Sequence, residues 1–482
     1  MQGTVDGTMQ TTIPGVIACG MDVHKDKIDV CVRAGDGSPD GNVIIRTFST
    51  MRKTLFELRD WLVSLGCFKV LMESTGVYWM PVYNILEDVY GMNVGVGNSR
   101  DLKNAPGRPK TDKEDAKWLS RLCMFGLVLK SFIVGERFRE LREWTRYHKK
   151  LVQERARQIN RIEKLLQMNG LKLSSVLSNI TGASGRRILE KIADKGELSV
   201  YDIKAALDRN CKKTAEEIEC AINGVMKQTS RMLLSLQLRK LERCDSEIEE
   251  AYNFMLYMSD EHAWAVAIIA SIPGMSILSA IYIIAEIGTD MSSFKTANHL
   301  AAWAGLAPKD NESAGKSRPS KTKKANQYVK SLMIQCAWAA TKTRGSRLSI
   351  WYWSNVKRLG DKKAITAVAR KLLCYIYAML ENGTLYDRSL DVAYAEKAEA
   401  IKLDKAHKLV GSRKSVAPPS ERGVDNGDVQ LAHGRDGTRE ADQESADKQE
   451  ESGNQHKSGI ESPNETATPR KRGRPKKAAV PE

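Results

Sequence analysis

Residues 16–23 read Val-Ile-Ala-Cys-Gly-Met-Asp-Val, an apolar run that carries one acidic residue, Asp22. A second run, Phe68-Lys69-Val70-Leu71-Met72-Glu73, ends on Glu73 just before Ser74-Thr75-Gly76. Short runs of this kind, bounded by turn residues, are typical of buried β-strands. The sequence therefore predicts two strands, each with a carboxylate at or near its end.

Asp112 and Asp115 lie in Lys110-Thr111-Asp112-Lys113-Glu114-Asp115-Ala116, at the head of a predicted helix. Asp112 and Asp115 are three residues apart, so both project from one helix face. Carboxylates gathered at one place repel each other unless a cation lies between them. Carboxylate oxygens suit Mg²⁺ or Mn²⁺, and two such ions stabilise the attacking and leaving oxygens of a phosphodiester. The four acids thus indicate metal-dependent chemistry on nucleic acid.

The order of elements predicts the fold of the N-terminal domain, over residues 15–126. The pattern predicts strands at 16–23, 28–32, 43–48, 68–73 and 93–96, and helices at 53–65, near 81–89 and at 112–124, with a basic loop at 98–110. Three strands followed by alternating helices and strands match the order of a ribonuclease-H-like α/β fold. In that fold the first strand, the fourth strand and the last helix meet at one edge.

Residues 137–260 are expected to form an all-α connector. A charged helix over 137–168 carries an apolar stripe, and many arginines, among them Arg139, Arg142 and Arg146, cover much of the rest. A second coil is predicted around 232–255. The basic surface fits either a solvated coiled coil or a rod lying along nucleic acid, and we expect the apolar stripe to form a dimer seam.

Residues 261–390 are predicted to form a second helical unit, with helices at 327–341 and 362–380 and an amphipathic stretch at 297–306. The uncharged stretch 263–285 is long enough to cross a bilayer. Pro273-Gly274 lies at its centre, however, so two short buried helices joined there explain it better than a membrane span.

Residues 400–482 are predicted to be a disordered tail, because they carry few apolar residues and many charges of both signs. The tail ends in a basic run around Arg472-Gly473-Arg474-Pro475. This run fits an AT-hook, which lays arginines in the minor groove of A·T-rich DNA, or a generic tail that binds phosphates.

The composition indicates which class of partner the chain binds and which cell compartment it occupies. The chain has 482 residues and a formal net charge of +16, which favours a nucleic-acid partner. Its nine cysteines are scattered without any Cys-x-x-Cys, which fits reduced thiols in the cytoplasm and argues against zinc or disulfides. The first 12 residues are polar and lack the apolar core of a signal peptide.

Several blocks, taken in order over residues 16–390, resemble the DEDD insertion-sequence transposases. The acidic blocks are Gly20-Met21-Asp22-Val23-His24-Lys25, Met72-Glu73-Ser74-Thr75-Gly76-Val77-Tyr78-Trp79 and Lys110 to Ala116. The C-terminal blocks are Ile272-Pro273-Gly274-Met275, Ala301 to Pro308, Ser313-Ala314-Gly315-Lys316 and Lys324-Ala325-Asn326.

The resemblance implies a RuvC-like N-terminal domain, a coiled-coil connector and a helical C-terminal transposase domain. It implies that Asp22, Glu73, Asp112 and Asp115 hold Mg²⁺ or Mn²⁺, and that Ser313 attacks the phosphodiester and holds a covalent DNA intermediate. Ser317 and Ser320 lie close enough to be confused with it. Ala314 and Ala325 stand where the family commonly has glycine, and at Ala325 we expect the local backbone to differ from the family pattern.

The resemblance also implies strand exchange on DNA, in several family members guided by an RNA from the element's own ends. Exchanging two duplexes needs four active sites, so we expect a homo-oligomer, a dimer or a tetramer. Basic residues in the loops and tail are expected to contact nucleic acid: Arg108, Lys110, Lys316, Arg318, Lys321, Lys323, Lys324, Arg472 and Arg474.

Some alternatives stay open at this point. His24 fits an outer-shell or proton-handling group, or a surface histidine at a strand end; Tyr78 and Trp79 fit either base stacking or core packing. A transposase or recombinase is the leading hypothesis. The alternatives are a DNA invertase of the same family, a RuvC-like junction nuclease that cuts without rejoining, and a structural nucleic-acid binder.

Overall fold

Strand β1, Ala18–Val23, is buried along its whole length and forms the centre of a five-stranded mixed sheet. The computed structural model describes residues 16–35, 42–73, 76–99, 102, 111–128, 130–308, 312–313, 316–317 and 325–413. The other strands of this sheet are β2 Lys27–Arg33, β3 Val43–Ser49, β4 Lys69–Glu73 and β5 Asn93–Gly97. Their spatial order is β3-β2-β1-β4-β5, with β1 antiparallel to β2 and parallel to β4.

Side chains alternate between the two faces of the sheet along each strand, and different helices pack on each face. One face carries Cys19, Met21 and Val23 and forms a single core with helices α1, Arg52–Ser64, and α2, Trp79–Glu87. On the other face, Leu71 packs with Leu119 and Leu122 of helix α3, Asp112–Phe125. The predicted α/β order of the first 125 residues is confirmed, with ends that differ by one or two residues.

The connector is built on two long helices, α4, Glu136–Met168, and α9, Gln228–Met258, which lie side by side. Early in α4, the ring of Trp144 lies 4.4 Å from the ring of Phe254, which is late in α9. Late in α4, Gln158 donates to the carbonyl of Gln237, which is early in α9, at 3.3 Å. The pair is therefore antiparallel. The apolar stripe of α4 is covered by α9 of the same chain, so it is not the free dimer seam that we expected.

Three arginines of α4 form ion pairs with other parts of the fold, where we expected a solvated basic surface. Arg139 pairs with Glu87, and Arg142 and Arg146 pair with Glu286, so these guanidinium groups lie inside the fold rather than on a solvated rod. Between the long helices, short helices enclose a second core around Ile162, Ile188 and Ile218. They are α5 Leu173–Val176, α6 Ala183–Lys195, α7 Val200–Ala206 and α8 Ala215–Ile222.

The C-terminal unit is helical around one large apolar core. Its elements are α10 Ala263–Ala270, α11 Ile277–Ile287, α12 Ala297–Trp303, β6 Glu312–Ser313, β7 Lys316–Ser317, α13 Gln327–Lys342, α14 Arg347–Leu359, α15 Asp361–Asn382 and α16 Ser389–Arg413. The predicted pair of short helices joined at Pro273-Gly274 is confirmed. Gly274 has φ +87°, and a Cβ on it would lie 2.3 Å from the Ala340 nitrogen. Within the described ranges, no helix combines the length and apolarity that a membrane span requires.

Helix α16 corrects the predicted start of the tail. It runs from Ser389 to Arg413, beyond residue 400, where we expected disorder to begin. Arg347 Nε donates to Asp391 Oδ1 at 2.8 Å and fixes its first turn. The following Ala, Glu and Lys residues are strong helix formers, which favours continuation of the helix to Arg413. Residues 414–482, which include the AT-hook-like run, lie outside the described part of the chain.

Gly20 allows α3 to lie directly on β1, and this contact predicts the effect of a substitution. A Cβ on Gly20 would lie 2.2 Å from the Ser120 nitrogen and 2.3 Å from the Ala116 carbonyl oxygen, both on α3. Because these are backbone atoms, Gly20→Ala is expected to lower the free energy of unfolding by about 1–3 kcal/mol. Urea denaturation measures the change, with Gly135→Ala as control, since a Cβ there meets nothing within 4 Å. Equal stability of the two variants would contradict the close packing.

Candidate active site

Two strands and one helix bring the four predicted acids to one face of the sheet. Residues 20 and 22 of β1 point towards α3, and Asp22 pairs across the antiparallel ladder with Asp29 of β2. On the parallel side, Met21 pairs with Met72, so Asp22 and Glu73 follow at neighbouring positions of β1 and β4. By the alternation of side chains, Glu73 faces the same side as Asp22. Each of these two residues is only 9% exposed.

Helix α3 supplies the other two acids from its first turn, above this face. Asp112 and Asp115 are both partly exposed. The partial positive charge at a helix N-terminus favours carboxylates in the first turn. The close contact over Gly20 determines how near this turn comes to β1. The acids that are distant in the sequence are thereby placed at one edge.

His24 lies between two of the acids. Its Nε2 is 3.0 Å from Asp22 Oδ2 and 3.6 Å from Asp112 Oδ2. Among the described residues, Asp22, His24 and Asp112 each offer a ligand atom within 4.8 Å of the others. Glu73 and Asp115 do not belong to that set of three. The structure therefore places His24 at the site, within reach of both carboxylates.

Two pKa shifts reflect the crowding of carboxylates. Burial raises the pKa of Asp22 above its usual range, and His24 opposes that rise. The nearby charges of Asp112 and Asp115 raise it further. Lys27, by contrast, holds the pKa of Asp112 below its usual range through a hydrogen bond.

Lys27 connects the exposed acid to a buried one, a feature that sequence analysis missed. Its Nζ lies 2.7 Å from Asp112 Oδ2 and 3.0 Å from Asp29 Oδ2. Asp29 is 1% exposed, and its other oxygen accepts a hydrogen bond of 2.6 Å from Thr47 Oγ1. The signal in the sequence was Lys27-Ile28-Asp29 on the strand after Asp22, since residues two apart on a strand share a face.

The donor set fits a hard divalent cation. Carboxylate oxygens are the ligands that Mg²⁺ and Mn²⁺ prefer. Asp22, His24 and Asp112 each offer a ligand atom within 4.8 Å of the others. Asp22 and Asp112, assisted by Glu73 and Asp115, are therefore suited to hold such an ion.

The predicted serine lies in the C-terminal half. Ser313 in β6 pairs with Lys316 in β7 to form a short hairpin, where the sequence predicted only a basic loop. Asn326 begins the next helix, α13. The other predicted contacts with nucleic acid, which are Arg108, Lys110, Arg318, Lys321, Lys323, Lys324, Arg472 and Arg474, lie outside the described residues, as does Ser320.

Tyr78 and Trp79, for which base stacking and core packing were both open, have different environments. Tyr78 is 40% exposed and precedes α2, whereas Trp79 packs against the sheet core and meets the Tyr83 ring edge-on at 5.7 Å. Tyr78 is therefore the one of the two that is accessible for stacking on a base.

The Lys27 contact generates a prediction about Asp112. Lys27→Met removes the cation that stabilises the carboxylate, so the pKa of Asp112 is expected to rise towards that of an ordinary aspartate. Carboxyl ¹³C NMR of aspartate-labelled protein in a pH titration measures the change. Lys25→Met is the control, because Lys25 is an exposed lysine of the same turn with no bond to Asp112 among those that the structure describes. An unchanged Asp112 titration in Lys27→Met would refute the contact.

Two family models match the chain, one in each half. The first, DEDD_Tnp_IS110, described as "Transposase", matches residues 19–169. The second, described as "Transposase IS116/IS110/IS902 family", matches residues 266–352. The first match includes the acidic site and α4, and the second includes the Ser313 hairpin.

Whole proteins with similar sequences agree with these matches. The transposase for insertion sequence element IS1111A of Coxiella burnetii is 22% identical over 381 residues, which covers 76% of this chain and 90% of the relative. The pilin gene-inverting protein of Moraxella bovis is 23% identical over 384 residues, covering 77% and 98%. An uncharacterized 43.6 kDa protein of insertion element IS110 from Streptomyces coelicolor is 24% identical over 311 residues, covering 58% and 73%. With both family models matched in order, the chain belongs to the IS110 family of DEDD insertion-sequence transposases.

Proposed function

We propose that this transposase cuts and rejoins DNA strands with a divalent metal ion at the four acids and with Ser313 as nucleophile. The observation that carries the proposal is that Asp22, His24 and Asp112 each offer a ligand atom within 4.8 Å of the others. Glu73 lies beside Asp22 on the adjacent strand, and Asp115 lies with Asp112 in the first turn of α3. Charged groups are costly to gather unless a cation is bound there. A divalent ion at this place would polarise the phosphodiester and stabilise charge on its oxygens.

The residues of this chain have separate tasks in the proposal. The buried Asp22 and Glu73 lie on rigid strands and fix the inner side of the ion site. Asp112 lies at the open side, where its side chain is 44% exposed and faces incoming DNA. His24, hydrogen-bonded to Asp22, orients that carboxylate and is within reach to exchange a proton with solvent.

Ser313 would provide the covalent step. Its Oγ bonds to phosphorus while the bond from phosphorus to the leaving oxygen breaks. The serine loses its proton and the leaving oxygen gains one. Because one phosphoester bond replaces another, the reaction can run in reverse. Attack on this ester by the hydroxyl end of another strand releases serine and joins the strands without ATP. Lys316, the register partner of Ser313 in the hairpin, is proposed to contact the phosphate.

We propose DNA as the substrate, together with a guide RNA from the element and a homo-oligomer that brings several active sites to two duplexes. Site-specific inversion is a second candidate outcome. It is favoured by the match to the Moraxella bovis pilin gene-inverting protein, which extends over 98% of that relative.

The serine assignment predicts a covalent protein–DNA adduct. Wild-type protein, incubated with its element's terminal DNA, co-purified RNA and Mg²⁺, should give an adduct that is visible on denaturing gels. Ser313→Ala should abolish the adduct, because no other atom replaces the attacking oxygen. Ser317→Ala is the matched control and should retain it.

Cleavage that persists in Ser313→Ala but stops in Asp22→Asn would identify a metal nuclease that does not rejoin strands. Loss of the adduct in Ser317→Ala alone would move the nucleophile to that residue.

The metal assignment predicts saturable Mn²⁺ binding at the acidic site. Asp22→Asn and Asp112→Asn are each expected to weaken Mn²⁺ binding by about tenfold or more, since each removes a charged oxygen ligand. Titration followed by electron paramagnetic resonance measures free Mn²⁺ without any reaction. Glu114→Gln is the control, because Glu114 lies in the same helical turn but pairs with Lys117. Removing the metal with EDTA should stop adduct formation in wild type, and equal Mn²⁺ affinity in all variants would refute the site.

A further inference from the structure

Glu286 is a buried carboxylate in the last turn of α11, and three polar side chains surround it. The residue is 3% exposed. Arg146 donates to both its oxygens, at 2.9 and 3.1 Å, and Arg142 Nε lies 3.4 Å from Oε2. Asn326 Nδ2 donates to Oε2 at 2.7 Å. A buried charge is tolerated when its partners satisfy it in this way.

Asn326 uses both ends of its side chain. Its Oδ1 accepts hydrogen bonds from the backbone nitrogens of Tyr328 and Val329 and thereby caps α13. Its Nδ2 is bound to Glu286. Asn326 is thus the fixed point at which the chain rejoins the helical core after the Ser313 hairpin.

The arginines that hold Glu286 come from α4, which also contacts the acidic domain. Arg139, Arg142 and Arg146 are spaced i, i+3 and i+7, so they share one helix face. Arg139 donates to Glu87 at 2.6 Å and to Asn84 at 3.2 Å, both on α2. Arg142 also donates to the backbone carbonyls of Ala285 and Glu286, at 3.1 and 3.0 Å, at the end of α11.

A single helix face therefore binds the domain with the acids at one end and the Glu286–Asn326 pair at the other. The contact also crosses the boundary between the two family matches, since α4 lies in the first and Glu286 and Asn326 lie in the second. The ring of Tyr328, just after Asn326, lies 4.4 Å from the Arg146 guanidinium. These contacts fix the position of Asn326, at the downstream end of the chain segment that carries Ser313, relative to α4.

We infer that Glu286 is a positioning residue for the serine step. Through Asn326 it fixes the downstream end of the Ser313 segment, and through the α4 arginines it holds that end in place relative to the acidic domain. The inference rests on the proposed role of Ser313. Misplacing a reacting group by about 1 Å can cost on the order of a hundredfold in rate, so the loss of one anchor should be measurable.

The test first breaks the Glu286–Asn326 hydrogen bond with one substitution and then restores it, with donor and acceptor exchanged, by a second. Asn326→Asp keeps an oxygen that caps α13 but places a second carboxylate against Glu286. Adduct formation by the full-length protein with its DNA and RNA should fall by about tenfold or more, while Mn²⁺ binding stays within about twofold, since the acidic site is untouched. Adding Glu286→Gln supplies a donor to the new carboxylate at position 326 and leaves one carboxylate in the cluster, so the double variant should recover most of the lost rate.

Thr296→Asp is the matched control, because Thr296 caps α12 in the same unit and is exposed. It adds the same charge at a helix N-terminus, away from Glu286, and should leave the adduct rate unchanged. Hydrogen exchange of the peptide that spans residues 307–330 provides a readout independent of chemistry. Exchange there should accelerate in Asn326→Asp and return towards wild type in the double variant.

Unchanged exchange and an unchanged adduct rate in Asn326→Asp would overturn the inference. So would a loss that matches a general fall in thermal stability and is not recovered in the double variant. Failure of the proposed function gives a different result, since wild-type protein would then form no Ser313-dependent adduct. In that case the exchange data alone decide whether Glu286 anchors the segment.

Discussion

The direct contact between α3 and the backbone of β1 determines the rest of the acidic site. Because Gly20 lacks a side chain, the helix approaches until Ala116 and Ser120 lie against the strand. This approach places the first turn of α3 over Asp22 and thereby joins acids that are 90 residues apart in the sequence (22 and 112). A wider separation would leave Asp112 and Asp115 as ordinary exposed residues at a helix N-terminus.

Charge compensation is the second constraint on this site. Asp22 and Asp29 occupy opposed positions on paired strands, and both are buried. Thr47 and Lys27 satisfy Asp29, and Lys27 also reaches Asp112, so a network on the neighbouring strands steadies the acids. These protein groups offset part of the repulsion among the carboxylates and hold Asp29 and Asp112 in place.

Sequence patterns predicted the sheet domain well, since apolar strand runs and helical stripes report directly which faces are buried. The four acids stay a predicted site, and patterns singled them out because each lies at or near the end of a regular element. Patterns cannot tell which polar partners meet, so Lys27, Asp29 and the Glu286 cluster were missed. They also misassigned Arg139, Arg142 and Arg146, because a basic residue on a helix has the same sequence signature whether it faces solvent or a buried carboxylate. The apolar stripe of α4 was correctly identified, but its partner proved to be α9 of the same chain.

The arginine face of α4 also restricts how the length of this protein can change during evolution. Each residue inserted in a helix rotates everything after it by about 100°. One insertion between Arg139 and Arg142 would turn Arg142 and Arg146 away from Glu286 while Arg139 stayed on Glu87. The loops between the short connector helices carry no such phase relation and can lengthen freely. Length variation among descendants of this chain is therefore expected to accumulate in those loops and to be absent from residues 139–146.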